Sequence, residues 1–519
     1  MSRRASHWQL ELLALALLVL GGCSAPTEDL ASGPEWLVIG IDGADWTTIH
    51  QLWDQGELPA LKGLADRGVA TVLRTSYGAS PVIWTSVATG VTPEVHGITG
   101  FAVPTPDGDV PVSSRVRKVP ALWNMLTTAG RRTSVVSWWA SWPAEAIDGV
   151  IISDRAGLDV ADAVSPPALS EQFERWRLEA LAEENLFDPR VSTFERDQVT
   201  SFAARQLLEV PFDLALVYFR GVDIASHRFW KYHQPERFPE VTAAQSAEFG
   251  DIVAATYRAT DAAIGDLISR VGPRTNVMVL SDHGFYAMKR EEVRIMLDFD
   301  RVLERLAFQR RTGDKIDWSG TRLFTFATAG FRLIKRVRFA PDVAPEARPA
   351  LRSALTAELA KITYTGGEPV FHVRDPNDRE ARTGADFVVD VQRRGATRDL
   401  RYGAEAWPRM ISEISYLSGT HSEHTHGVLF AAGPDVDPAA PLDGIHIHDI
   451  TPTLLYGLGL PVAEDFAGRA WVELFTPGYQ ARRPLRTVAS WGTLGAGDAL
   501  ASPADEEILD DLRALGYID

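Results

Sequence analysis

Residues 36–43 read WLVIGIDG, a short apolar run rich in β-branched side chains that ends at Asp42 and Gly43. No polar residue interrupts it, so both faces of the strand it predicts are buried, as in the centre of a parallel sheet. Asp42 then falls at the carboxyl end of the strand, where open α/β sheets place their sites. Runs of the same kind recur at 70–75, 133–138 (TSVVSW), 213–219 (DLALVYF), 276–280 (NVMVL) and 427–432 (GVLFAA). Helical patterns lie between them at 48–67, 119–129, 166–208, 244–271 and 450–458, and a short amphipathic helix is expected near the end at 505–515. This alternation predicts an α/β fold: a doubly wound, mostly parallel sheet with helices on both faces. The pattern weakens over 291–419, which reads as an inserted cap region that covers the site. Within it, 318–339 (WSGTRLFTFATAGFRLIKRVRF) is basic and aromatic, as expected of an amphipathic surface or a hairpin packed on the core.

The 519 residues carry a net charge of −17, which argues against a protein that grips duplex nucleic acid through a basic face. Small anionic substrates stay open, because a bound cation reverses the local field. The one cysteine, Cys23, follows Arg3, Arg4, an apolar run over 12–20 and Gly21-Gly22. That order is a secretory leader, and Leu20-Gly21-Gly22-Cys23 resembles a bacterial lipobox, in which the cysteine is lipidated; a plainly cleaved leader and an uncleaved anchor are the other readings. With no second cysteine, an exported fold has no internal disulfide and relies on its core or on metals. The expected division is a leader at 1–23, a tether at 24–35, a core at 36–290 and 420–480 split by the insertion at 291–419, and a tail at 481–519. The expected location is the cell envelope, with a lipid anchor at the periplasmic face or outer membrane of a Gram-negative cell.

Residues 77–101, YGASPVIWTSVATGVTPEVHGITGF, place Ser80 before Pro81 and an apolar run that Gly90 closes. This predicts a helix of about three turns with Ser80 at or near its N-cap. A hydroxyl there lies at the positive end of the helix dipole, which favours an oxyanion and a bound phosphate. Taken alone, Ser80 is a helix cap. Other chemical groups recur at strand ends: Asp42, Asp223 with His227, and Asp282 with His283. His421, His424 and His426 precede the last core strand. Asp223 and His227 share a face if their segment is helical. Carboxylates with neutral imidazoles and no thiolate suit zinc or a similar divalent ion.

In this order, Asp42-Gly43, Ser80 with Thr89-Gly90, Pro93-x-x-His96-Gly97, Asp223-x-x-x-His227, Asp282-His283-Gly284 and a late Gly-x-His resemble the alkaline phosphatase superfamily. The branch it looks most like is the type I phosphodiesterase/nucleotide pyrophosphatase group. Residues 449–455 (DITPTLL) and 457–461 (GLGLP) are similar to that group as well. The resemblance implies two divalent metal ions, expected to be zinc. One would be held by Asp223, His227 and His421, with His424 and His426 as alternatives for the last. The other would be held by Asp42, Asp282, His283 and the nucleophile Ser80. It implies phosphodiester hydrolysis of a small phosphoester through a phospho-serine. A phosphotransferase acting on envelope lipid or glycan head groups, and a non-catalytic metal-binding envelope protein, are the alternatives. Ile83 stands where nucleotide pyrophosphatases carry an asparagine. A sulfatase is excluded because Pro81 directly follows Ser80 and Trp84 stands where that motif needs arginine.

Overall fold

The computed structural model describes residues 35–105, 108–158, 160–183, 194–239, 241–288, 295–297, 299–312, 315–325, 334–376, 381, 385–392, 400–407, 411–413, 417–495 and 497–518. Cys23 and the expected leader lie outside these residues, as does the tether apart from Glu35. Eight strands form the main sheet: β1 (Trp36–Ile41), β2 (Val69–Leu73), β3 (Thr133–Val136), β4 (Gly149–Ile152), β5 (Val164–Ser165), β6 (Leu214–Phe219), β7 (Asn276–Leu280) and β8 (Gly427–Ala432). Their spatial order is β2-β8-β7-β1-β6-β3-β4-β5. The pairs from β7 through β1, β6 and β3 to β4 are parallel. β8 runs antiparallel between β7 and β2, and β5 is antiparallel to β4. The fold is the expected α/β doubly wound sheet, parallel at its centre.

The apolar run in β1 follows from its position. Leu37, Ile39 and Ile41 face one hydrophobic cluster and Trp36 and Val38 the other, so every side chain of the strand is buried. On the first face pack helices Gly221–His233 and Ile252–Arg270, and on the second Ser80–Thr89 and Ile450–Gly457. Three broad helical expectations are subdivided. The 48–67 pattern is two helices, Trp46–Asp54 and Pro59–Arg67, because Gly56 takes a positive φ and Pro59 has no N–H to continue the first. The 166–208 region holds helices Ser170–Ala182 and Phe194–Leu207, and 244–271 breaks near Gly250 into Ala243–Phe249 and Ile252–Arg270. Strands β4 and β5 were not expected; they are too short to show a period of their own.

The inserted region has a hydrophobic cluster of its own, with Leu323, Val337, Leu355, Phe387 and Val389 buried in it. Leu323–Thr325 and Ile334–Phe339 pair antiparallel, so the basic aromatic segment contributes two adjacent strands. Two antiparallel pairs, Ile295–Leu297 with Ile411–Glu413 and Tyr286–Ala287 with Gly419–Thr420, tie the two ends of the insertion together where they leave the core.

His96 shows how the helix that starts at Ser80 is braced. Ile98 N donates to its Nδ1 at 3.2 Å, which leaves Nε2–H to face Ser86 Oγ at 3.0 Å. Burial, then the nearby His448 and Arg117, hold the ring down to about 3. The folded value lies below the unfolded one, so this contribution is full above pH ~6.5 and is lost as pH falls toward 3. His96→Gln is expected to remove this acid sensitivity. In urea unfolding at pH 7 and pH 4, the native chain should lose roughly 3 kcal/mol more between the two than the variant does.

Candidate active site

The strands deliver their carboxyl ends to one crevice, and the residues that follow them meet there. Asp42 comes directly after β1, Asp282 after β7, and Asp223 three residues beyond Arg220, in the first turn of helix Gly221–His233. Asp197 fixes that turn by accepting from Arg220 N at 3.1 Å and Gly221 N at 2.8 Å. Gly43 has φ +72° and donates to Asp282 Oδ1 at 3.2 Å, which joins the ends of β1 and β7. A Cβ there would meet the Phe285 ring at 2.7 Å, so the turn needs glycine.

Ser80 is the first residue of helix Ser80–Thr89 and Ala79 is its N-cap; the hydroxyl is therefore released from capping. It points into the crevice, with Oγ 3.3 Å from Asp42 Oδ1 and 3.4 Å from His283 Nε2. His283 Nε2 also lies 3.4 Å from Asp42 Oδ1, 3.3 Å from Asp282 Oδ2 and 3.9 Å from Asp223 Oδ1. The second imidazole, His227 Nε2, is 3.4 Å from Asp223 Oδ1. Both rings face backbone carbonyls with Nδ1: Gly284 O at 3.1 Å for His283 and Gly419 O at 3.0 Å for His227. A carbonyl only accepts, so Nδ1 of each ring carries a proton and Nε2 faces the crevice, where a neutral ring would offer its lone pair to a cation.

His421 arrives from the strand Gly419–Thr420. That strand lies so close to helix Gly221–His233 that a Cβ on Gly419 would stand 2.2 Å from Ser226 O. The result stacks the His421 ring on His283 at 3.6 Å and 7°. His424, one of the alternatives, has a side chain 88% exposed beside Glu423, and His426 is exposed and reached by Thr75 N at 3.4 Å. Ligand atoms of Asp223, His227 and His421 lie within 4.8 Å of one another, as do those of Asp42, Asp223 and His283. Asp223 thus belongs to both groups, and Asp282 adjoins the second through His283.

Three buried carboxylates in one crevice are costly unless cations balance them. Among the described residues no lysine or arginine forms an ion pair with Asp42, Asp223 or Asp282. Burial and the charges of Asp282 and Asp223 push Asp42 well above the usual carboxylate range, and burial with the Asp223 charge takes Asp282 to about 7. Asp223 moves the other way: burial would raise it, but His227, His283 and the Tyr517 hydroxyl outweigh that and lower it. Asp223 Oδ1 and Asp282 Oδ2 are buried with no hydrogen-bond donor. Acceptor atoms that converge without protons between them fit divalent cations.

Two tyrosines complete the crevice, and neither was expected from sequence. The Tyr218 hydroxyl donates to Asp42 Oδ2 and receives Trp139 Nε1–H at 2.6 Å. The Tyr517 hydroxyl donates to Asp223 Oδ2. Tyr218 was hidden in an apolar strand and Tyr517 in a tail with no chemical pattern. Ile83 is fully buried in the hydrophobic cluster beneath the second face of the sheet.

The family described as "Type I phosphodiesterase / nucleotide pyrophosphatase" matches residues 36–395. No curated protein matches the chain. Murine ectonucleotide pyrophosphatase/phosphodiesterase 5 is similar at 14% identity and TM-score 0.49, covering 85% of this chain and 100% of that one. The human protein gives 14% and 0.48, covering 85% and 99%. An inactive murine form in complex with AMP gives 14% and 0.49, covering 85% and 100%. The chain belongs to the type I phosphodiesterase/nucleotide pyrophosphatase family and is a phosphoester hydrolase. The geometry separates its late histidines. His421→Ala should lose one equivalent of bound divalent ion by elemental analysis and His424→Ala none; the reverse result would move the ligand to His424.

Proposed function

We propose that this phosphoester hydrolase cleaves a small phosphodiester through a covalent phospho-serine on Ser80, at a site for two divalent ions, expected to be zinc. The observation that carries the reading is Ser80 Oγ, which lies within 3.4 Å of both Asp42 and His283 at the start of a buried helix. Asp223, His227 and His421 would hold one ion; Asp42, Asp282 and His283, with Ser80, the other. When bound, such ions would lower the pKa of the serine hydroxyl and neutralise charge on the attacking and leaving oxygens.

The protein's own groups do the rest. Asp42 Oδ1 accepts from the Ser80 hydroxyl and keeps Oγ in the crevice, where the helix dipole favours the developing oxyanion. The Oγ–P bond forms as the ester P–O bond breaks; the Ser80 hydroxyl proton passes to solvent and the leaving oxygen takes one from solvent. Water then cleaves the Oγ–P bond, which restores the hydroxyl and releases a phosphomonoester. Ile83, buried in the core, offers no donor to the phosphate, so the ions and backbone N–H groups carry that recognition. Ser80→Ala is expected to abolish turnover of a chromogenic phosphodiester, at least ~10³-fold, with metal content unchanged. A panel of monoesters, nucleotide diesters and lipid head-group diesters should show the diesters ahead; monoesters ahead of both would refute the substrate class.

We further propose that the chain is exported and held at the cell envelope by a lipid on Cys23. Among the described residues no helix is long and apolar enough to cross a membrane. Cys23→Ser is expected to release the protein from the membrane fraction. Retention of the variant would leave the lipid reading without support.

A further inference from the structure

The end of the chain is built into the crevice. Helix Asp505–Ala514 is pinned to the core by Arg155, whose Nη1 lies 2.9 Å from Asp505 Oδ1 and 3.0 Å from Ser502 Oγ. Leu509, Leu512, Leu515 and Ile518 are buried in the first hydrophobic cluster. After the helix, Gly516 takes φ +70° and turns the chain inward. Tyr517 N then bonds Leu512 O at 2.8 Å, and the Tyr517 ring stacks on Phe101 at 4.4 Å and 18°. This seating aims the hydroxyl at two groups of one cluster: it donates to Asp223 Oδ2 and lies 3.0 Å from His227 Nε2.

A phenol has a single proton, and here Asp223 Oδ2 takes it. The His227 ring has its own proton on Nδ1, against Gly419 O. His227 Nε2 lies 3.0 Å from the same phenol oxygen, so the hydroxyl touches two members of the Asp223–His227–His421 group at once. Meanwhile Asp223, held by one oxygen, is free to turn Oδ1, which has no hydrogen-bond donor, toward His227 and His283.

We propose that Tyr517 is a positioning residue for the Asp223–His227–His421 ion: its hydroxyl fixes Asp223 through Oδ2 so that Oδ1 faces the ion. The closing segment of the chain is then a required part of the metal site. This rests on the two-ion reading above. A hydrogen bond to the outer oxygen of a ligating carboxylate sets its direction, and loss of such a partner costs about 10- to 100-fold in metal affinity.

The test is Zn²⁺ binding by chelator competition on the metal-stripped full chain, comparing the native protein, Tyr517→Phe and Tyr517→Leu. Phenylalanine keeps the stack on Phe101 and removes only the hydroxyl. The native chain should take up two ions. Tyr517→Phe should weaken one of them by about 10- to 100-fold and leave the other unchanged, with an unaltered melting temperature in the metal-free state. Tyr517→Leu should weaken the same ion at least as much. Two ions bound by the native chain, with unchanged affinity in Tyr517→Phe, would overturn this proposal and leave the two-ion reading standing. Tighter binding or faster turnover in Tyr517→Phe would also overturn it, by making the hydroxyl a competitor of the ion. A native chain that binds no Zn²⁺ would overturn both.

Discussion

Asp42, Asp223 and Asp282 are buried together, and the crevice is arranged around that constraint. They come from three different strand ends, and among the described residues no lysine or arginine pairs with them. A fold that brings like charges out of water in this way must balance them. The two imidazoles are each held at Nδ1 by a backbone carbonyl, which turns Nε2 toward the carboxylates. The tyrosine hydroxyls tie down one oxygen of Asp42 and one of Asp223. What remains pointed inward is a set of acceptors. Such a set fits divalent cations, and cations in that place would suit phosphoryl chemistry.

The sheet explains why these groups can meet although they are far apart in sequence. Parallel strands β1, β6 and β7 lie side by side, so their carboxyl ends open on one side. Helix Ser80–Thr89 lies on one face of the sheet and Gly221–His233 on the other, yet both begin at that same edge. The antiparallel strand β8 has a different use. It returns the chain beside β7, and the two residues of Gly419–Thr420 that precede it pair with Tyr286–Ala287. That pairing carries His421 onto His283. The large insertion therefore leaves and rejoins the core at paired strands without moving the ligands.

The parallel strands were legible because a strand buried on both faces has no polar alternation, and WLVIGI, DLALVYF and NVMVL each show this. The groups at their ends were legible for the same reason: an acid just beyond such a run lies at the carboxyl edge of the sheet, where it has no packing use. The grouping was less so. The family resemblance, not the spacing, put Asp282 with Asp42 and His283; in space Asp223 also comes within reach of Asp42 and His283. A one-dimensional pattern gives the order of ligands along the chain but not the sideways neighbours across strands. Tyr218 escaped notice because an aromatic in a buried strand normally packs, and only the contact of its hydroxyl with Asp42 distinguishes it. Gly419 was legible only as the glycine of the late Gly-x-His; its requirement comes from the helix backbone, with Ser226 O 2.2 Å from where a Cβ would stand.

The cavity of about 60 Å³ beside Asp42 and Asp223 is walled by Phe101, Trp139 and Arg220, and by Leu512, Leu515 and Tyr517 of the tail. A larger cavity of about 270 Å³ adjoins it through Asp154, Arg196 and Arg220. The wall nearest the ligands is thus apolar on the tail side and carries guanidinium groups on the sheet side. The tail that supplies the apolar side is held against the core by Arg155 and Asp505. Asp42 and Asp223 line this cavity with one face, while Ser80 and His283 meet Asp42 in the crevice at the strand ends. The carboxylates are thus held between the parallel sheet, which supplies them, and the tail, which packs behind two of them.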